Sequence, residues 1–172
     1  MALVLVIYDS RTGNTEKVAG LVAEGVKEVE GIECVLKKVD NVSLDDLLKA
    51  DGVIIGSPTY YGTMSGKIKE LLDMSVKLHG KLEGKVGAAF TTSGGTASGA
   101  ETTILSILEA LLIHGMIVQG NPHRQHYGLA VVGTPDAREM ELCRRFGTRT
   151  ANLVAKIAKA QVTESADSPQ KI

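Results

Sequence analysis

The chain has 172 residues, enough for one domain that buries roughly 70% of the surface its unfolded form exposes. Lys and Arg number 19 against 20 Asp and Glu, a net charge of −1, so no basic excess marks a nucleic-acid or membrane-surface binder. Cys34 and Cys143 stand in no CxxC or clustered spacing; they read as buried thiols of a reducing cytoplasm and cannot alone ligate an iron–sulfur cluster.

The first element is an apolar run over 2–8. It has no Lys or Arg ahead of it and no small-residue cleavage site, so it reads as a buried strand and not a signal peptide. Similar short runs follow at 33–39, 52–56, 85–90 and 116–119. Helical periodicity fills the intervals at 14–30, 43–50, 64–79, 99–114 and 136–161. The apolar stretch from Ile104 to Val118 is broken by Ser106, Glu109 and His114, which excludes a membrane span. There is no repeat and no linker. The expected organisation is one domain over 1–162 and a polar C-terminal tail over 163–172. Five β-α units predict an α/β three-layer sandwich around an open five-stranded parallel sheet of order 2-1-3-4-5. Ligands of such a sheet bind at the carboxyl ends of strands 1, 3 and 4.

The loop after strand 1 is Ser10-Arg-Thr-Gly-Asn-Thr15. Its backbone N–H groups and the positive end of the following helix favour a dianion. Ser10, Thr12, Asn14 and Thr15 around Gly13 add side-chain donors. An ordinary turn with Thr12 or Asn14 as N-cap would explain one such residue, but poorly explains four. No GxxxxGK[ST] and no GxGxxG occur, so neither a triphosphate loop nor a dinucleotide fingerprint is present. Asp9 could suggest a phospho-receiver, but strand 3 ends in Ser57 where an acceptor Asp is required.

The loop after strand 3 runs Gly56-Ser-Pro-Thr-Tyr-Tyr-Gly-Thr-Met-Ser-Gly66. Tyr60 and Tyr61 can offer a flat face to a flat ring, or one can pack while the other is exposed. The loop after strand 4, Thr91-Thr-Ser-Gly-Gly-Thr-Ala-Ser-Gly-Ala-Glu101, is small and polar, with backbone donors suited to a heteroaromatic edge. The segment 121–127 gathers His123, Arg124 and His126; a metal site, a cationic rim or subunit contact, and a solvated loop are open readings. No metal ligand set is expected. His114 ends an apolar helix, where a core or dipole-facing histidine is the default.

These loops together resemble the flavodoxin-like family. Residues 10–15 are similar to its FMN-phosphate loop. Residues 56–62 with Met64-Ser-Gly66, the 91–96 segment with Glu101, His114-Gly-Met116 and Tyr127-Gly128 resemble its WrbA-type NAD(P)H:quinone oxidoreductases. The resemblance spans 2–160. It implies that Ser10, Thr12, Gly13, Asn14 and Thr15 hold the FMN phosphate. It also implies that Pro58, Thr59, Tyr60, Tyr61 and Gly62 frame the ring with Thr92, Ser93, Gly94, Gly95 and Thr96. Tyr61 and His114, the latter across a subunit interface, become the catalytic candidates. The implied activity is a cytoplasmic oxidoreductase in which NAD(P)H is a transient co-substrate and a quinone or other small acceptor takes the electrons. The implied assembly is a homodimer or homotetramer. The loop after strand 4 lacks an aromatic residue, unlike both that branch and many electron carriers. A one-electron carrier between redox protein partners, and a flavin-free binding module, are the rival readings.

Overall fold

The computed structural model describes residues 1–167. In chain order the elements are β1 (Ala2–Tyr8), α1 (Asn14–Lys27), β2 (Ile32–Lys38), α2 (Leu44–Lys49), β3 (Gly52–Pro58), α3 (Gly66–Met74), β4 (Val86–Ser93), α4 (Ala100–Ile113), β5 (Ile117–Val118), β6 (Leu129–Val132) and α5 (Ala137–Asp167). All strand pairs are parallel, in the order β2-β1-β3-β4-β5, with β6 also on β4. The predicted order 2-1-3-4-5 holds, with helices on both faces.

Side-chain alternation along the strands divides the core in two. Leu5, Ile7, Val53 and Ile55 meet Leu47, Ile68, Leu71, Ile104 and Ile107 of α2, α3 and α4. Val4, Val6, Ile54 and Phe90 meet Val18, Val22 and Val26 of α1 and Cys143 and Val154 of α5. Cys143 is buried as expected, whereas Cys34 is half-buried; both are free. On this second face α1 and α5 pack backbone to backbone. A Cβ added at Gly25 would lie 1.9 Å from the Arg144 carbonyl oxygen, and one at Gly147 would lie 2.1 Å from that of Val22.

Three boundaries differ from expectation. The fifth strand is two pieces: β5 pairs with Val86 and Gly87 at the start of β4, and β6 pairs with Phe90 to Ser93 at its end. Residues 119–128 loop out between them, because this polar segment cannot enter a buried ladder and Pro122 has no N–H to give one. The helix expected over 64–79 is α3 followed by a 3-10 turn at Ser75–Leu78. Helix α5 continues to Asp167, into the segment read as a polar tail; no Gly or Pro lies between 163 and 167 to stop it, and residues 168–172 lie outside the described ones. Among the described residues no helix is long and apolar enough to cross a membrane.

Candidate functional site

The carboxyl ends of β1, β3 and β4 carry the loops 10–15, 56–66 and 91–101 along one rim. In the first loop, the N-cap of α1 is Gly13, at φ 92°, and no side chain caps the helix. Neither Thr12 nor Asn14 is the cap, so the ordinary-turn reading is not the one adopted. Ser10 Oγ accepts a bond from the Gly13 N–H at 3.1 Å. A Cβ on Gly13 would find nothing within 4 Å. The first intrahelical bond is Lys17 N–H to Gly13 C=O, at 2.9 Å. The N–H groups of the first turn are therefore without intrahelical acceptors, at the positive end of the helix dipole. Asn14 Oδ1 accepts from the Thr134 hydroxyl at 3.1 Å, which leaves the Asn14 amide N–H groups to donate.

The loops are cross-tied. Thr15 Oγ1 and Thr92 Oγ1, both buried, lie 2.7 Å apart and join the first loop to the end of β4. One hydroxyl proton satisfies that bond, so the other is left for a further acceptor. Thr59 Oγ1 lies 2.9 Å from Thr91 Oγ1, and the Thr59 N–H donates to Thr92 C=O at 2.8 Å. Ser57 Oγ donates to the Pro58 carbonyl and accepts from the Ser65 N–H, each at 2.8 Å, which closes the base of the second loop.

Tyr60 and Thr63 exchange two backbone bonds of 3.1 Å around Tyr61 (φ 51°) and Gly62 (φ 75°). Two positive φ values define a type I′ hairpin, in which an aromatic residue at the first central position is strained. The Tyr61 side chain is fully exposed and Tyr60 is 38% exposed. Gly99, at φ 94°, caps α4 without a side-chain bond. A Cβ there would sit 2.6 Å from Gly62 Cα, so the second and third loops touch through two glycines. From Gly94 to Ala100 the third loop carries nothing larger than Thr96, and Thr96, Ala97 and Ser98 are exposed. The rim therefore offers an anion cradle continuous with an uncovered shelf. A phosphate monoester bearing a flat ring fits that chemistry.

The structure brings together the candidates in 10–15, 58–62 and 92–96, but not His114. His114 caps the far end of α4, near Ile117, which pairs with the first residue of β4. The length of β4, about 23 Å, separates it from the rim. Its side chain is 8% exposed, with Nε2 2.7 Å from Ser75 Oγ. Ser75 Oγ gives its own proton to Leu72 C=O at 2.7 Å, so Nε2–H of His114 is the donor. Nδ1 is then an unprotonated acceptor, buried without a partner among the described residues. Burial, with His79 nearby, holds the imidazole pKa below its ordinary value and keeps it neutral. Tyr127 is exposed at the sheet edge.

Sequence reasoning missed Thr134, which follows the unpredicted β6, and missed the role of Gly99. The only signal for Thr134 was the Gly133-Thr-Pro-Asp136 turn before the last helix.

A model of the NADPH-dependent FMN reductase family matches residues 37–124. A flavodoxin of Aquifex aeolicus is 45% identical over 163 residues, covering 90% of this chain and 88% of that one. An NAD(P)H dehydrogenase (quinone) of Archaeoglobus fulgidus is 34% identical, covering 91% of this chain and all of that one (100%). Among solved structures, a flavodoxin, WrbA-like protein from Agrobacterium tumefaciens superposes with a TM-score of 0.76 at 27% identity, covering 91% and 99% of the two chains. The family model takes in the second and third loops of the rim, the relatives cover nine-tenths of the chain, and the chain belongs to the flavodoxin-like, FMN-binding oxidoreductase family.

Proposed function

We propose that the protein is an NAD(P)H-dependent quinone reductase that works through FMN. The observation that carries this is the uncovered shelf. Tyr61 stands free of the protein, and residues 94–100 of the third loop have no side chain large enough to cover a ring lying beside them. A nicotinamide and then a quinone can occupy the same face in turn. FMN supplies the two-electron chemistry when bound.

In this reading the N–H groups at the start of α1 bind the phosphate, with Ser10, Thr12, Gly13, Asn14 and Thr15. Residues Pro58, Thr59, Tyr60, Tyr61 and Gly62 flank one side of the ring. Thr92, Ser93, Gly94, Gly95 and Thr96 flank the other and keep it accessible. Tyr61 offers its ring to the flat substrates. His114 has a structural part, joining the end of α4 to the turn after α3. The missing dinucleotide fingerprint suits transient docking, which gives ping-pong kinetics.

A second reading is a one-electron carrier between redox proteins, favoured by the name of the 45% identical Aquifex relative. Anaerobic addition of NADPH to the yellow protein tests the choice. Rapid loss of the visible band, restored by a quinone, is expected of the reductase. A band that persists with NADPH and is lost only to a chemical reductant refutes it and supports the carrier. A colourless protein that fails to take up added FMN refutes both.

A further inference from the structure

Where the fifth strand breaks, residues 119–128 arch beside α5. A cavity of about 470 Å³ lies between them. It sits alongside Leu129, which pairs with Phe90, three residues before β4 reaches the rim. On α5 its lining runs from Leu142 to Arg149, beyond the first turn of the helix. The cavity is therefore separate from the FMN cradle.

Its charge is one-sided. Arg124, Arg145 and Arg149 line it, and no Asp or Glu does, in a chain whose net charge is −1. Arg145 and Arg149 are four apart on one helix, where like charges repel. Arg149 also donates to Gly120 C=O and so holds the arch against the helix. Arg124 and Arg145 have no ion-pair partner among the described residues. An adjoining hollow of about 370 Å³ shares Arg145 and Arg149 and contains Glu28, whose carboxylate forms no ion pair with either arginine among the described residues. The cavity's arginines thus have no paired carboxylate, and an anionic ligand would supply the counter-charge, with bidentate geometry suited to phosphate.

The cavity is not purely ionic. Phe146 and Leu142, half-buried on α5, form an apolar wall below the cations. Its volume is within the range of small-molecule sites and well beyond one inorganic ion. Phosphate groups beside a flat, weakly polar body match both parts. We propose that this cavity binds a nucleoside phosphate, its base against Phe146 and its phosphates among Arg124, Arg145 and Arg149. The proposal stands whichever electron acceptor the protein uses.

The test is calorimetric titration of the FMN-saturated protein with ADP in low-salt buffer, so that the cradle is filled. One saturable site is expected, weakening as salt rises. Arg124→Ala and Arg145→Ala should each weaken ADP binding by about tenfold or more. Arg138→Ala, on α5 but outside the cavity, should leave it unchanged. FMN affinity should be unaltered in all three variants, which shows that they fold. Inorganic phosphate should bind at least about tenfold more weakly than ADP. Absence of saturable binding overturns the proposal, as does ADP affinity that ignores both substitutions. Phosphate binding as tight as ADP, or tight binding of a hexaglutamate peptide without ADP binding, would likewise overturn the nucleoside assignment.

Discussion

Removing the two side-chain donors of the first loop together, by Thr12→Ala and Asn14→Ala, tests the cradle most directly. Neither residue caps α1, since Gly13 does, so neither substitution removes a cap. The Asn14 carbonyl is bonded to the exposed Thr134, whose hydroxyl turns to water when Asn14 is truncated. The apo protein should therefore melt within a few degrees of the parent. Toward a phosphate dianion, each lost charge-assisted bond is worth about 1.5–3 kcal/mol, so the double variant should bind FMN roughly 10²–10⁴-fold more weakly. Quenching of free-flavin fluorescence gives the dissociation constants. Melting with and without FMN gives an independent reading, because the gain conferred by a ligand shrinks with its affinity. Parental affinity in the double variant would refute the cradle, leaving the backbone N–H groups alone to hold the phosphate.

Three further outcomes follow from particular contacts. Tyr61→Gly relieves a positive φ and should stabilise the apo protein by about 0.5–1 kcal/mol while slowing NADPH-dependent quinone reduction; a lower melting temperature refutes the strain argument. Gly25→Ala drives a Cβ to 1.9 Å from the Arg144 carbonyl oxygen and should cost about 3 kcal/mol or more. Gly20→Ala, on the same helix with nothing within 4 Å, should instead stabilise by about 0.5–1 kcal/mol, so equal effects in denaturant melts count against the close crossing. For His114 the folded pKa is depressed, so the unfolded chain takes up a proton first as pH falls through about 6.5. Stability should be full above that pH and decline below it, and His114→Asn should flatten this part of the denaturant-midpoint profile; an unchanged slope refutes the assignment.

The limits of the sequence reading follow from where each element's information resides. A strand covered on both faces must be apolar throughout, so β1, β3 and β4 declare themselves. The small polar segments after them then mark the rim, because covering helices leave only the strand ends free. Information held in φ angles is less visible: Thr12 and Asn14 are better cap residues by type, yet the left-handed turn at Gly13 takes the position and leaves the helix end bare. The four-residue β6 has too few residues for a periodic signal, and it is separated from β5 by ten polar or small ones. Missing β6 concealed Thr134 too, since a turn at Gly133-Thr-Pro-Asp136 alone does not say that the loop before α5 reaches the cradle. His114 shows the opposite case, in which a motif suggests a place that topology denies within one chain. A 14-residue helix that begins at the rim ends about 21 Å from it, and the chain must then return to pair with the start of β4. Within one chain His114 cannot approach the shelf, and its ring is committed to Ser75 instead. Its Nε2 is bonded to Ser75 and the residue is 8% exposed, so little of the ring is free to face anything beyond its own chain.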